Sequence, residues 1–400
     1  MSNDWIRIIL DDYEGELTAL EQAGRLRHLR HLERSGPVHA RLADGRQLLV
    51  MCANDYLGLA MNARLVAAVQ EGVERWGAGA GASRLVCGSL NVHHEAEEAL
   101  ARWKGSEAAL LFGAGYLANL GIIGALVGRG DAVFCDRLNH ASLIDGVRSS
   151  GAALIPYRHG DADHLAHLLS RRRGRYRRAL IATDSVFSMD GDVAPLGDLL
   201  GLAERYGAIL LADEAHAMGV LGEQGRGAVE MLGLPCAHPL LIQMGTLSKA
   251  AGLYGAYVCA VRRLIEMLVN RARSFIYSTA PPPAIAHAVP AALQLIAEAG
   301  PARARLRMLG GRLFEGLRSQ GWNASWHGTP IVPVMLGAEE SALDLQDRLL
   351  KQGLLAVAIR PPSVPPGESR VRLTVSAAHT TADIETALAA FQAGGAAHSM

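Results

Sequence analysis

Residues 240–261, LLIQMGTLSKAAGLYGAYVCAV, hold two short apolar runs, 240–244 and 256–261, on either side of a small-residue turn carrying a single charge, Lys249. Continuous apolar runs of this length read as strands buried on both faces of a sheet, since a half-exposed strand would alternate apolar and polar residues. Working outward, similar runs recur at 108–112, 132–135, 152–155, 179–183 and 208–212, with helical stretches between them. This alternation predicts an α/β fold with a mostly parallel central sheet and helices on both faces. In such sheets ligands gather at the carboxyl ends of the strands, so polar residues are expected directly after the runs. Asp136 and His140 follow one run, Asp184 to Ser188 another, Asp213, Glu214 and His216 a third, and Lys249 a fourth.

The 400 residues are half hydrophobic and one-fifth charged, the composition of a well-buried chain of two to three domains. With 39 basic and 39 acidic residues the net charge is zero, which leaves no global field for nucleic acid or an anionic membrane. The basic run RRRGRYRR at 171–178 reads as a solvated helix end and loop ahead of a buried strand, in preference to a nucleic-acid surface, with docking of an anionic carrier or coenzyme as the alternative. Cys52, Cys87, Cys135, Cys236 and Cys259 are odd in number and lack CxxC spacing, which disfavours a disulfide framework and a metal site and fits a reducing cytoplasm. The N-terminus carries acids where a signal peptide wants basic residues, and no run approaches the length of a membrane span.

Three segments are expected. Residues 1–50 form an N-terminal helix and hairpin segment: Trp5, Ile8, Ile9, Tyr13, Leu17 and Leu20 recur at helical spacing, predicting an amphipathic helix from 3 to about 34 that packs on something larger. Asp44-Gly45 marks a hairpin turn. Residues 51–283 form the large α/β domain, ended by Pro281, Pro282 and Pro283. Residues 284–400 form a smaller α+β domain with a loose tail, GGAAHSM.

The chemistry lies in three stretches. Lys249, among Leu247, Ser248, Ala250, Ala251 and Gly252, has little polar company, and a desolvated ammonium loses its proton readily enough to form a Schiff base with a carbonyl. ADEAHAMG places Asp213 at a strand end, where an acid can keep a pyridine nitrogen protonated, with His216 three residues on. FGAGYLAN sets Gly113, Gly115 and Tyr116 between a strand and a helix start, where free N–H groups receive a phosphate. Each alone has a plainer reading: Lys249 as a surface lysine, Asp213 as a helix cap, His216 as a core histidine, Gly115 as a turn. Phosphate cradle, pyridinium acid and Schiff-base lysine, all at strand ends, together indicate pyridoxal 5'-phosphate.

With these motifs the chain resembles the α-oxoamine synthases, fold-type I pyridoxal-phosphate enzymes, over essentially its whole length. The matching segments are CANDYLGLA (52–60), GAGASRLVCG (79–88), FGAGYLAN (112–119), NHASLIDG (139–146), VFSMDGDVAPL (186–196), DEAHAMGVLGEQGRG (213–227), GTLSKA (245–250), IYST (276–279) and IRPPSVPPGESRVRLTVSAAH (359–379). The resemblance implies a fold-type I transferase in which Lys249 carries the cofactor, Asp213 pairs with its ring nitrogen, His140 stacks on the ring, and His216 and Ser188 lie near the phenolic oxygen. It implies that Gly115, Tyr116 and Thr246 hold the phosphate, helped by Ser278 and Thr279 from the second subunit of a homodimer. Asn54 and Arg372 would contact the amino-acid substrate, and Arg30 and Arg360 the acid carried by the acyl donor. The stretch AIRPPSVPPGESRVRL favours the branch that joins L-alanine to a pimeloyl thioester, on coenzyme A or an acyl carrier protein, in biotin synthesis. Two alternatives stand beside it: a sister enzyme joining glycine to acetyl-CoA, and a non-catalytic subunit that only binds acyl carriers. Ser248 and Tyr254 depart from the small residues common beside the family's lysine.

Overall fold

A computed structural model of the chain describes residues 3–395. All seven apolar runs are strands of one sheet, in the order Ala108–Phe112, Ala256–Ala260, Leu241–Thr246, Ile209–Asp213, Ala179–Asp184, Ala132–Asp136, Ala153–Tyr157. Every residue of 132–136, 179–184, 241–246 and 256–260 is buried, as their unbroken apolar character requires. Alternate side chains leave to opposite faces: Leu210 and Ile181 enter one core, Leu211 and Leu180 the other. On the first face lie helices Asn91–Lys104, Ala162–Arg172, Leu196–Tyr206 and Pro283–Glu298; on the second lie Gly115–Leu126, Ala141–Ser150 and Arg262–Arg271.

One strand departs from parallel order. Ala256–Ala260 runs antiparallel to both neighbours, with Ala256 opposite Thr246 on one side and Phe112 on the other. The connection 247–255 explains this, because a parallel crossover needs a dozen or more residues and a short return does not. The remaining pairings in the sheet are parallel, so the ends of 132–136, 179–184, 209–213 and 241–246 open side by side at one edge. The basic run 171–178 precedes strand Ala179–Asp184 and lies at the opposite edge. There Arg177 pairs with Asp131, and Arg173 and Arg178 donate to backbone carbonyls.

The N-terminal helix is shorter than its spacing predicts: Asn3–Gln22, with Gly24 at φ +64° just beyond. A glycine in the left-handed region is a common helix stop. Leu32–Arg34 instead pairs as a strand with Ala40–Leu42. The apolar side chains of this helix find no cover among the described residues, Trp5 being 70% and Ile9 53% exposed. The hairpin strands His39–Leu42 and Gln47–Val50 flank the Asp44-Gly45 turn, and Leu354–Leu355 adds to Gln47–Val50 in parallel. Ile331–Gly337, Ser369–Thr374 and Val357–Ile359 form a separate antiparallel sheet.

Pro283 opens a helix that packs tightly on Ala63–Trp76. At Gly72 an added Cβ would stand 2.8 Å from Ala284 Cα, so only glycine permits the approach. Among the described residues no helix is long and apolar enough to cross a membrane. Of the expected tail, residues 396–400 lie outside the described part of the chain.

Candidate active site

The four parallel strand ends enclose a cavity of about 190 Å3, and Lys249 reaches into it from the segment after Leu241–Thr246. Burial lowers the pKa of Lys249 from 10.5 to about 8, Asp213 and Asp184 resisting the fall and Arg372 adding to it. Its Nζ lies 2.8 Å from His216 Nε2. His216 is itself buried, and burial, with the charges of Lys249 and Arg372, holds its pKa well below the ordinary imidazole value.

Asp213 is fixed on both oxygens. Oδ1 accepts from Ala215 N at 2.9 Å and Oδ2 from Asn119 Nδ2 at 2.8 Å. The same amide group donates to Ser142 Oγ at 2.8 Å, and that hydroxyl lies 2.7 Å from His140 Nδ1. His140 N-caps helix Ala141–Ser150, and its backbone N–H donates to Asp184 Oδ2 at 3.0 Å. Burial lowers the pKa of His140 and raises that of Asp184 well above the carboxylate range, the neighbouring Asp213 charge adding to the latter. Two carboxyls on adjacent strand ends, in register, are therefore differentiated: one is held by an amide donor and one is driven toward its neutral form.

At the other end of the cavity helix Gly115–Leu126 begins without any side-chain cap, which leaves N–H groups of its first turn for an anion. Thr246 and Ser248 hydroxyls stand 2.7 Å apart beside it, Thr246 Oγ1 donating to Gly255 O. Gly115 faces Thr246 across this cradle, an added Cβ standing 3.9 Å from Thr246 Cβ. The Tyr116 hydroxyl donates to Asp145 Oδ2 at 2.6 Å. Ser188 lines the cavity from the turn after Ala179–Asp184. That turn is tied back by His159, which lies 3.0 Å from Asp136 Oδ1 and 2.9 Å from Asp192 Oδ2. Burial works to lower the His159 pKa, but the two carboxylates outweigh it and push it up to about 10.

Lys249, His140, Asp213, Gly115, Tyr116, Ser188, His216 and Thr246 thus converge on one cavity. Asn54 and Arg372 meet beside it, Arg372 Nη2 donating to Asn54 Oδ1 at 3.0 Å, while Arg372 Nε is buried with no partner among the described residues. Arg360 is likewise buried at Nη1 without a partner, its Nη2 reaching Leu26 O at 3.5 Å. Arg30 is exposed and near enough to Cys52, with Arg372, to counter the rise that burial imposes on that thiol. Ser278 and Thr279 are not among the residues lining this chain's cavity; Thr279 instead bridges to Ser83.

Residues 46–391 match the family model described as aminotransferase class I and II. The chain belongs to the aminotransferase class I and II family. Within it, the chain is similar to the 8-amino-7-oxononanoate synthase of Anaeromyxobacter dehalogenans, 51% identical over 387 residues, covering 96% of this chain and 95% of that protein. The synthase of the same name from Geobacter sulfurreducens is 48% identical over 379 residues, covering 94% and 96%. Among solved structures, a serine palmitoyltransferase from S. paucimobilis with bound PLP and myriocin superposes with TM-score 0.88 at 32% identity, covering 96% of this chain and 97% of that one. An 8-amino-7-oxononanoate synthase from Francisella tularensis superposes with TM-score 0.74 at 29% identity, covering 86% and 96%. The α-oxoamine synthase resemblance carried by the motifs holds.

Several groups that shape this family member's site are absent from the sequence-derived set. Tyr56, Asn119 and Ser142 all lie in or beside quoted motifs. What distinguishes them is contact across long separations, such as Tyr56 with His216 and Asn119 with Asp213, which residue type and local spacing do not reveal.

Proposed function

We infer that the chain catalyses the pyridoxal-phosphate-dependent condensation of L-alanine with a pimeloyl thioester, releasing carbon dioxide and the thiol carrier and giving 8-amino-7-oxononanoate for biotin synthesis. The observation that carries this reading is Lys249 at a strand-end cavity, its pKa brought down to about 8, with Asp213 anchored on both oxygens nearby. The cavity fits the cofactor: an uncapped helix start and two hydroxyls suit a phosphate, a fixed carboxylate suits a pyridinium, and a depressed lysine suits an aldehyde. Pyridoxal phosphate, when bound, supplies an electron-poor ring that takes up the electrons released at the amino acid's α-carbon.

Lys249 would hold the cofactor aldehyde, and its free amine would serve as the base that removes the α-proton of alanine. Asp213 keeps the ring nitrogen protonated. His140, fixed through Ser142 to the amide that holds Asp213, would cover the ring and would donate a proton to the β-keto acid. Ser188 and His216 would serve the phenolic oxygen; Gly115, Tyr116 and Thr246 would hold the phosphate. Arg372, with Asn54, receives the substrate carboxylate, to which its unpartnered Nε is free to donate. Arg360 and Arg30 are the candidates to receive the far carboxylate of the pimeloyl chain.

A homodimer completes the site by bringing Ser278 and Thr279 of the second copy to the phosphate. Exposed Leu85, Val86, Tyr254 and Tyr277 supply apolar surface for that contact, Val86 being 77% and Tyr277 71% exposed. The cytoplasm, where five free cysteines stay reduced, is the proposed compartment. The roughly 50% identity to synthases that carry this reaction's product in their name favours alanine over the glycine branch. The test is carbon dioxide release from carboxyl-labelled alanine, glycine and serine with pimeloyl and acetyl thioesters. Alanine with a pimeloyl donor is expected to dominate; a preference for glycine with acetyl-CoA, or for serine with a long-chain donor, would overturn the reading.

A further inference from the structure

Four side chains drawn from distant parts of the sequence form one hydrogen-bonded chain ending on Lys249. Arg372 Nη2 donates to Asn54 Oδ1 at 3.0 Å and to Tyr56 Oη at 3.3 Å. Tyr56 Oη lies 3.1 Å from Asn54 Oδ1 and 2.6 Å from His216 Nδ1, and His216 Nε2 lies 2.8 Å from Lys249 Nζ. Tyr56 is fully buried, and no hydroxyl or ring nitrogen in the chain is left to solvent choice.

The proton positions follow by elimination. A guanidinium has no acceptor, so the Asn54 atom facing Arg372 is its oxygen. The Tyr56–Asn54 contact then joins two oxygens, and only the phenol has a proton to place between them. That spends the single proton of Tyr56, so its oxygen must accept from His216, and Nδ1 carries a hydrogen. A neutral imidazole with hydrogen on Nδ1 has a bare lone pair on Nε2, and that lone pair faces the lysine. The opposite arrangement, with Tyr56 donating to Nδ1, leaves the phenol and amide oxygens lone pair to lone pair at 3.1 Å. Only one polarity satisfies all five contacts.

We propose that Tyr56 is a positioning residue that holds His216 in its Nδ1–H form, so that Nε2 accepts from Lys249 and retains a proton on that amine whenever the amine is free. The inference rests on the reading of Lys249 as the base of the reaction: the group that takes the α-proton is met by an acceptor already turned toward it. It complements the burial that makes Lys249 lose its proton. The amine is thus kept near balance between its two forms, with Asp213 and Asp184 also favouring the charge and Arg372 opposing it. His216 stays neutral under burial and under the charges of Lys249, Arg372 and His140.

The test uses full-length protein stripped of cofactor and labelled with 15N-histidine, the His216 signals being identified by their loss in His216→Gln. The wild type is expected to show His216 protonated at Nδ1 and bare at Nε2. Tyr56→Phe removes the phenol, and Asn54→Ala removes the acceptor that claims its proton; either should move the His216 hydrogen to Nε2. In both variants the pKa of Lys249, read from the pH dependence of its acylation by mass spectrometry, should fall by about one unit, a roughly tenfold shift toward the free amine at a given pH. If Tyr56→Phe fails to fold, Asn54→Ala decides alone. A wild-type protein with hydrogen on Nε2, or variants with unchanged tautomer and lysine titration, would overturn the proposal. Neither measurement needs a substrate, so a wrong assignment of alanine or of the acyl donor leaves the outcome unaffected.

Discussion

Replacing Lys249 by methionine should make the cofactor-free protein more stable. A lysine whose pKa falls from 10.5 to about 8 on folding is a charge the folded state resists. The gap of about 2.5 pH units, at about 1.36 kcal/mol each, amounts to about 3.4 kcal/mol of destabilisation at neutral pH. Losing the contact to His216 returns about 1 kcal/mol, which leaves a net gain of about 2 kcal/mol for Lys249→Met at pH 7. The sign of the pH dependence follows from linkage. Between about pH 8 and 10.5 the unfolded chain binds more protons at this position than the folded one, so wild-type stability from this group rises with pH through that window. At pH 9 the native lysine is largely neutral while the unfolded one is still charged, and the cost has shrunk to about 2 kcal/mol. Urea unfolding of the two cofactor-free proteins at pH 7 and pH 9, at one protein concentration, gives the comparison, because titrating groups remote from Lys249 cancel in the difference. A Lys249→Met protein no more stable than wild type at pH 7, or an advantage that does not shrink by about 1 kcal/mol at pH 9, would refute a desolvated lysine at this site.

Asn119→Ala frees Asp213 Oδ2 and Ser142 together. It should lower kcat/KM about 10- to 100-fold, the worth of one hydrogen bond to a charged group, and lower unfolding stability by about 1–3 kcal/mol, the cost of a buried carboxylate oxygen left without its donor. Arg372→Lys keeps a positive charge but cannot serve Asn54, Tyr56 and a carboxylate at once, and the KM for the amino acid should rise about tenfold in steady-state assays. Lys104→Met strands Glu214, whose side chain is fully buried against Lys104. Unfolding titrations should show a loss of about 3–5 kcal/mol, a cost borne by the fold and not by the site chemistry.

The strands were legible because a doubly covered strand is written as an unbroken apolar run; 132–136 and 241–246 have no exposed residue to interrupt it. Lys249, Asp213 and His140 were legible for a related reason: a charged or titratable group straight after such a run has nowhere to go except the sheet's edge. The reading of the N-terminal helix ran past its true end because apolar spacing continues to Leu20 and the basic stretch beyond it contains no proline; the stop comes from Gly24. The direction of Ala256–Ala260 was implicit in the short segment before it. Tyr56, Asn119 and Ser142 were not legible as site residues. Their part depends on partners some 20 to 300 residues away, and a tyrosine or asparagine inside a motif looks alike whether it touches the site or merely packs beside it. The pairing of Leu354–Leu355 with Gln47–Val50 is hidden for the same reason.

The short antiparallel return into Ala256–Ala260 also bears on how the protein assembles. Most neighbours in the central sheet are separated in sequence by at least one full helix, and Ala108–Phe112 meets Ala256–Ala260 across more than a third of the chain. Leu241–Thr246 and Ala256–Ala260 alone can zip together by closing a small loop, whose entropic cost is among the lowest available to the sheet. Lys249 rides on that loop. The nucleophile is therefore carried by the most local strand pair in the molecule, while its acid, its histidines and its arginine arrive only as distant segments dock around it.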